Sequence, residues 1–150
     1  MPTPDTIFDA LHSQLVAASG LSYVKKIFKG IRMNVMDDQR PCIMLEISSN
    51  GNITEFLANR ITNVKMGVSV IAQIVCLDQD AQIVGNAAYK GILDIENDIR
   101  KAIDDDLHLS DNAILTEHGV AEYDVEFTAS YPYRSVLIPV TILYRQTSNA

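Results

Sequence analysis

Two stretches of the chain repeat apolar residues at the three- and four-residue spacing of an amphipathic helix. In the first, over residues 5–19, the apolar stripe consists of Ile7, Phe8, Leu11, Leu15 and Val16. In the second, which begins at residue 81 or 86 and ends at residue 104, the stripe consists of Ile92, Ile95, Ile99 and Ile103. Thr3 or Asp5 is suited to cap the first helix, and Gly20 is placed to end it. The pattern predicts two helices, each with one buried face.

Other segments alternate apolar and polar residues with the period of a half-buried strand. The clearest ones cover residues 42–49, 64–77, 120–129 and 135–145, and weaker ones cover residues 22–28 and 113–117. Asn50-Gly51 predicts a hairpin turn with a return segment over residues 53–57, because both residues tolerate positive φ. Pro139 predicts an unpaired side or a bulge in the last strand, since proline has no N–H to donate.

The element order is helix, two or three strands, helix, two or three strands. This order predicts a single α+β domain over residues 1–150, with an antiparallel (mixed) β-sheet flanked by two α-helices. In the strand over residues 64–77, one face is apolar throughout and the other becomes apolar in the second half. We expect that half to be covered on both sides, by this chain or by a neighbouring one.

Composition narrows the classes of partner. The formal net charge is −7, with 19 acidic and 12 basic residues, which opposes tight binding to a phosphate backbone. The one basic cluster is best interpreted as a solvated strand face, and it consists of Lys25, Lys26, Lys29 and Arg32. No segment has the apolar length of a membrane span or the features of a secretory signal, so we expect a cytoplasmic protein. Cys42 and Cys76 lie in apolar runs and are expected to be buried free thiols.

The sequence contains no recognisable catalytic or metal-binding motif. The three histidines, His12, His108 and His118, lack metal-ligand spacing, and surface or capping roles are favoured. A metal site would require a loop to bring together His108, Asp111, Glu117 and His118. The carboxylates that alternate along one strand, Glu122, Asp124 and Glu126, are more typical of a solvated face than of an acid–base pair. No catalytic residue, metal or cofactor is therefore predicted.

Four passages together resemble a known family in their element order and hydrophobic rhythm. They are RPCIMLEI at residues 40–47, VSVIAQI at residues 68–74, the helix over residues 92–103, and VLIPVTILYR at residues 136–145. Across residues 5–146 the chain resembles bacteriophage tail-terminator proteins, also called tail-completion or minor tail proteins. The resemblance implies a non-catalytic virion protein, assembled in the host cytoplasm. It would form a homo-oligomeric ring, usually of six subunits, that caps the tail tube, joins the head connector and lets DNA pass transiently.

Within this resemblance, two sets of residues are candidates for function. A hairpin over residues 50–63 would reach a neighbouring subunit through Ile53, Phe56, Leu57 and Arg60. The acidic strand face would line the channel and repel DNA through Glu122, Asp124 and Glu126.

Two other functions stay open at this stage. The first is a small α+β ligand-binding domain or enzyme, whose pocket between sheet and helices would be lined by Tyr123, Tyr131, Tyr133, His118 and Glu122. The second is another part of the virion, such as a tail-tube or neck protein.

Overall fold

The computed structural model describes residues 1–33, 35, 39–57, 60–75, 77–127 and 132–147. In this part of the chain, the helices are α1 Pro4–Ala17 and α2 Ile92–Asp104, and the strands are β1 Lys26–Lys29, β2 Cys42–Phe56, β3 Ile61–Val75, β4 Leu115–His118, β5 Glu122–Phe127 and β6 Pro132–Thr147. The strands form one sheet in the order β1-β2-β3-β6-β4, and β5 also pairs with β6. Among the strand pairs formed by the described residues, β1–β2 alone is parallel, so the predicted α+β class with a mixed sheet is confirmed.

Helix α1 begins as the sequence predicts and ends earlier. The Thr3 hydroxyl accepts a hydrogen bond from the Thr6 backbone N–H and caps the helix. The helix stops at Ala17, and Gly20 lies in a 3₁₀ turn, Ser19–Leu21, that follows it. The stripe of Ile7, Leu11 and Leu15 is fully buried, whereas Val16 is 58% exposed and does not belong to it.

Helix α2 begins at Ile92, later than either predicted start. The preceding loop supplies the reason, because its backbone carbonyls satisfy N–H groups that open the helix. The Ile92 N–H donates to the Gln82 carbonyl at 2.9 Å, and the Leu93 N–H donates to the Ile83 carbonyl at 3.1 Å. The predicted apolar face is confirmed by four buried isoleucines, Ile92, Ile95, Ile99 and Ile103.

The predicted turn at Asn50-Gly51 is wrong. Strand β2 continues to Phe56, and β3 begins at Ile61. Gly51 does have a positive φ of 90°, but it serves a β-bulge inside the strand, between the pairs Asn50–Met66 and Asn52–Lys65. A turn and a bulge require the same backbone conformation, so the sequence signal was ambiguous.

Two further irregularities in the β2–β3 register lie on either side of Gly51, and one of them depends on a second glycine. A Cβ atom at Gly67 would lie 2.6 Å from the hydroxyl oxygens of both Ser48 and Ser49. At the bulge between Ile47 and Ser49, the two serine hydroxyls therefore occupy the space that a side chain at Gly67 would need.

Both helices pack on the same face of the sheet. The hydrophobic core joins the buried residues of α1 and α2 to inward-facing side chains of β2, β3 and β6. Alternate residues point to the other face, which we call the open face because neither helix covers it. On the second half of β3 that face is only half-buried, at Ile71, Gln73 and Val75, so the cover expected there from this chain is partial.

Pro139 lies where β6 changes its neighbour. β4 pairs with β6 up to Val140, and β5 begins to pair at Leu137. The Pro139 carbonyl accepts a hydrogen bond from the Gly119 N–H at 2.7 Å, so this backbone edge faces the gap between β4 and β5. The missing N–H of Pro139 therefore removes no hydrogen bond between paired strands, and the predicted unpaired side is confirmed.

Candidate functional site

The three candidate channel residues form an exposed row on the open face. Glu122, Asp124 and Glu126 are paired with Leu137, Ser135 and Tyr133 of β6, and all three side chains are exposed. Their side chains repeat about every 7 Å along the strand, so the like charges are tolerable only in contact with water or a partner. The structure therefore brings these carboxylates together as a ladder that faces solvent.

A shallow depression of about 310 Å³ lies beside this ladder. Its lining combines acidic groups with apolar ones and consists of Ile71, Glu122, Tyr123, Asp124, Ser135 and Leu137. The Tyr133 hydroxyl donates to the Glu126 carboxylate at 2.5 Å, and this hydrogen bond raises the pKa of Tyr133. Beside β5, the open face therefore combines exposed carboxylates with partly apolar residues.

The face of the Tyr133 ring contacts a buried cation. The Arg40 guanidinium lies 4.1 Å from the centre of the Tyr133 ring, and its Nε donates to Gln73 at 3.2 Å. Arg40 is only 8% exposed. The positive charge is therefore inside the protein, and the ladder presents its negative charge to solvent.

The candidate oligomer contacts lie at the far end of the β2–β3 hairpin. We call this end the arm, defined as residues 48–57 and 60–67. Ile53 is 48% exposed, Leu57 is half-buried and Arg60 is exposed with a φ of 64°. The Phe56 side chain lies outside the described part of the structure. The arm thus presents apolar side chains and a cation to solvent.

A second exposed apolar surface was not predicted from the sequence. It is a groove of about 270 Å³ on the helix side of the sheet, lined by Ile83, Ile92, Leu93, Tyr123 and Arg134. Ile83, Leu93 and Tyr123 are 48%, 44% and 53% exposed. Leu93 falls outside the isoleucine stripe of α2. An apolar residue on the polar side of a helix was the feature of the sequence that could have predicted this groove.

The histidines take part in local hydrogen bonds. His12 lies 2.9 Å from the Ile27 carbonyl, and His108 lies 2.9 Å from the Ile114 carbonyl. His118 lies between Arg100 at 2.7 Å and Asp104 at 2.9 Å. Arg100 has no acceptor, so the near ring nitrogen of His118 accepts and the far one donates to Asp104.

A polar chain along α2 therefore joins Asp104, His118 and Arg100 to Glu96 and the hydroxyl of Tyr123. This chain of hydrogen bonds orders side chains at the surface of α2, and its last member, Tyr123, also lines the groove. Among the described residues no group of three or more His, Cys, Asp or Glu is arranged to hold a metal ion.

The residues proposed for an enzyme pocket do not share a face. Tyr123 and His118 lie on the helix side, in the polar chain along α2. Glu122 and Tyr133 point to the open face, where they pair with Leu137 and Glu126. Tyr131 lies outside the described residues. The sheet itself therefore separates the members of this set whose positions are described.

The basic cluster and the cysteines occupy structural positions. Lys29 forms an ion pair with Asp9 at 2.8 Å, and the Arg32 guanidinium lies 5.0 Å from the Phe28 ring centre. Cys42 is fully buried, and this burial raises the pKa of its thiol. Cys76 lies outside the described residues.

No helix in the described ranges has the length and apolarity required to cross a membrane. No protein-family model matches the sequence, and no similar sequence is found among curated proteins. Function must therefore be argued from the exposed surfaces of the fold, which are the open face, the arm and the groove.

Proposed function

We propose that this chain is a structural subunit of a phage or prophage tail, which forms a homo-oligomeric ring that caps the tail tube and joins it to the head connector. The observation that carries the proposal is the one-sided placement of the helices, which leaves an open sheet face with half-buried Ile71, Leu137 and Leu143. A sheet face that no helix covers and that is partly apolar is suited to bind further protein.

The acidic ladder supports the channel part of this function. Glu122, Asp124 and Glu126 are exposed on the open face, and Arg40, the cation that stacks on Tyr133 on that face, is buried. In a ring these carboxylates would repeat around the opening and create a negative potential. Such a lining repels the phosphate backbone, so DNA passes without adhering.

The arm supports the assembly part. Exposed apolar side chains such as Ile53 are costly on a monomer when they cluster, and a neighbouring subunit would remove them from water. Leu57 and Arg60 at the tip extend this surface to a mixed apolar and cationic contact. Both types of side chain are common in protein interfaces.

The direct test uses the tail-tube protein encoded in the same genome. Polymerising tubes would be imaged by negative-stain electron microscopy with and without this chain. We expect a density cap at one end of each tube and a shorter length distribution, because a terminator stops growth. The control variant Val16→Glu changes an exposed residue of α1 and should cap equally well. Uncapped tubes of unchanged length would contradict the proposal.

A further inference from the structure

We propose that the groove binds the C-terminal end of a partner polypeptide. The apolar last side chain of the partner would lie against Ile83 and Leu93, and its terminal carboxylate would pair with Arg134. This binding is independent of the proposed ring, because the groove is complete within one subunit.

Arg134 is the one charged residue of the groove lining, and it is half-buried. In the part of the chain that the structure describes, its side chain has one partner, the side-chain oxygen of Gln82, which accepts from the Arg134 Nε at 2.9 Å. A guanidinium has five N–H groups, so four stay available beside an apolar surface. A partly buried cation without a counterion is unusual in a folded protein, and it favours an anionic ligand.

The carboxylates on this side of the sheet have other partners. Glu96 accepts from the Tyr123 hydroxyl and pairs with Arg100 at 3.1 Å, so its charge is already balanced. Asp94 accepts a backbone N–H at the start of α2 at 2.9 Å. The acidic ladder of β5 lies on the open face, on the other side of the sheet. The positive charge of Arg134 is therefore left for a ligand, although the whole chain has a net charge of −7.

The size and shape of the groove fit the end of a polypeptide better than an enclosed small molecule. Its volume is about 270 Å³. Small-molecule pockets are roughly 300–1,000 Å³ and enclose about 70–90% of their ligand. Ile83 and Leu93 are instead about half exposed, and the adjoining Val84 is 68% exposed. One apolar side chain can fill such a groove while the preceding residues continue over Val84, and capture of a terminal carboxylate is a known mode of peptide recognition.

The walls of the groove are held in place by contacts within the subunit. The Ile83 carbonyl accepts from the Leu93 N–H at 3.1 Å. A Cβ atom at Gly91 would lie 2.4 Å from the same carbonyl oxygen, so the loop and the helix start are in close contact. Tyr123 is held by its hydrogen bond to Glu96. A site that is already formed loses less conformational entropy when a ligand binds.

Two forms of one peptide test the role of the carboxylate. Acetyl-Gly-Val-Gly-Leu is prepared with a free C-terminus and as the C-terminal amide, and each form is titrated into the isotope-labelled chain. Heteronuclear NMR measures the roughly millimolar affinities that one side chain and one ion pair supply. We expect the free acid to shift the amide signals of Ile83, Leu93 and Tyr123, and to bind at least ~10-fold more tightly than the amide, which lacks the charge-assisted hydrogen bonds. Equal affinities of the two forms would overturn the inference.

Two matched variants test the role of Arg134. Arg134→Met removes the charge and keeps an unbranched side chain, and Arg60→Met is the control on the arm. Thermal melts first establish that both variants are folded. Arg134→Met should lower the affinity for the free acid to that for the amide, and Arg60→Met should change neither affinity. A free acid that binds Arg134→Met as tightly as the unaltered chain would contradict the assignment, and if Arg134→Met does not fold, the comparison of acid and amide decides alone.

N-acetyl-leucine distinguishes a polypeptide from a free small carboxylate. It has the last side chain and the carboxylate of the peptide, but it lacks the preceding valine that would cover Val84. We expect it to bind at least ~3-fold more weakly than the peptide acid, because less apolar surface is buried. Equal binding would overturn the assignment to a polypeptide end. All of these measurements use separate subunits, so their failure leaves the proposed ring in place, whereas a failure to cap tail tubes leaves the groove assignment in place.

Discussion

Gln14 is the side chain that ties α1 to the carboxyl end of α2, so its replacement by methionine tests how the helical layer is held. Its amide nitrogen lies 2.8 Å from the Ala102 carbonyl oxygen, 3.1 Å from that of Ile103 and 3.1 Å from that of Asp106. The last carbonyls of a helix have no partner within it. Methionine keeps the length of the side chain and removes both N–H groups.

The expected loss follows from the number of hydrogen bonds that one amide group can make. Two N–H groups satisfy two carbonyls well, and each such bond contributes about 0.5–1.5 kcal/mol. Gln14→Met should therefore lower the free energy of unfolding by about 1–3 kcal/mol, measured by urea titration with far-ultraviolet circular dichroism. For a domain of this size, that loss lowers Tm by roughly 2–12 °C.

Gln79→Met is the matched control, because Gln79 is exposed in the 3₁₀ turn Gln79–Ala81. Surface substitutions of this kind usually change stability by less than about 0.5 kcal/mol. If the two variants differ by no more than that amount, Gln14 does not cap α2 and the account of this helix end is wrong.

Three further predictions concern the bulge, the buried thiol and the loop after α2. Gly67→Ala should lower the free energy of unfolding by about 1–3 kcal/mol through overpacking, and Ser48→Ala with Ser49→Ala should restore it; no restoration would exclude the hydroxyl contacts as the cause. In a Cys76→Ser background, Cys42 should react with a thiol reagent at pH 8 at least ~100-fold faster in urea than in the native state, because burial protects it and raises its pKa; equal rates would contradict the buried position. The pKa of Asp106 is lowered by N–H donors from Ser110 and His108, so this carboxylate stabilises the fold above its unfolded pKa of about 3.9 and loses the effect as pH falls through its folded pKa. Asp106→Asn should therefore weaken the acid dependence of stability below about pH 4, and an unchanged dependence would contradict this role.

The sequence predicted the elements whose signals are periodic and local. The isoleucine stripe of α2 and the alternation in β3 led to the correct buried faces, because a residue's side of a helix or strand follows from spacing alone. The two helices, the main strands and the α+β class were predictable for this reason. The parallel pairing of β1 with β2 was not predictable. The two strands are separate in the sequence, and no local pattern indicates that they pair.

Signals that suit two structures failed. Asn50-Gly51 suits a turn and a bulge equally, and only the pairing of β2 with β3 along its whole length decides between them. The start of α2 depends on the carbonyls of Gln82 and Ile83, which accept hydrogen bonds from the first N–H groups of the helix. Its end depends on Gln14, which lies 88 residues before Ala102, whose carbonyl it binds. Neither contact leaves a trace in local periodicity.

The candidate site was predictable in part. Alternation placed Glu122, Asp124 and Glu126 on one strand face, and the structure has them exposed together. Tyr123 was assigned to the apolar face of the same strand, and it does point to the helix side. It is nevertheless 53% exposed, because it lies in the open groove beside α2. The groove beside it arises from Leu93 and Ile83, which meet only through the fold.

The most direct test of the account is the mass of the assembled protein, measured by native mass spectrometry in the presence of tail tubes. A closed ring of identical subunits should give one species whose mass is an integer multiple of 16.6 kDa, usually six copies, with no series of open oligomers. A single peak at the mass of one chain, unchanged by tubes or by concentration, would contradict the assembly on which the proposed function depends.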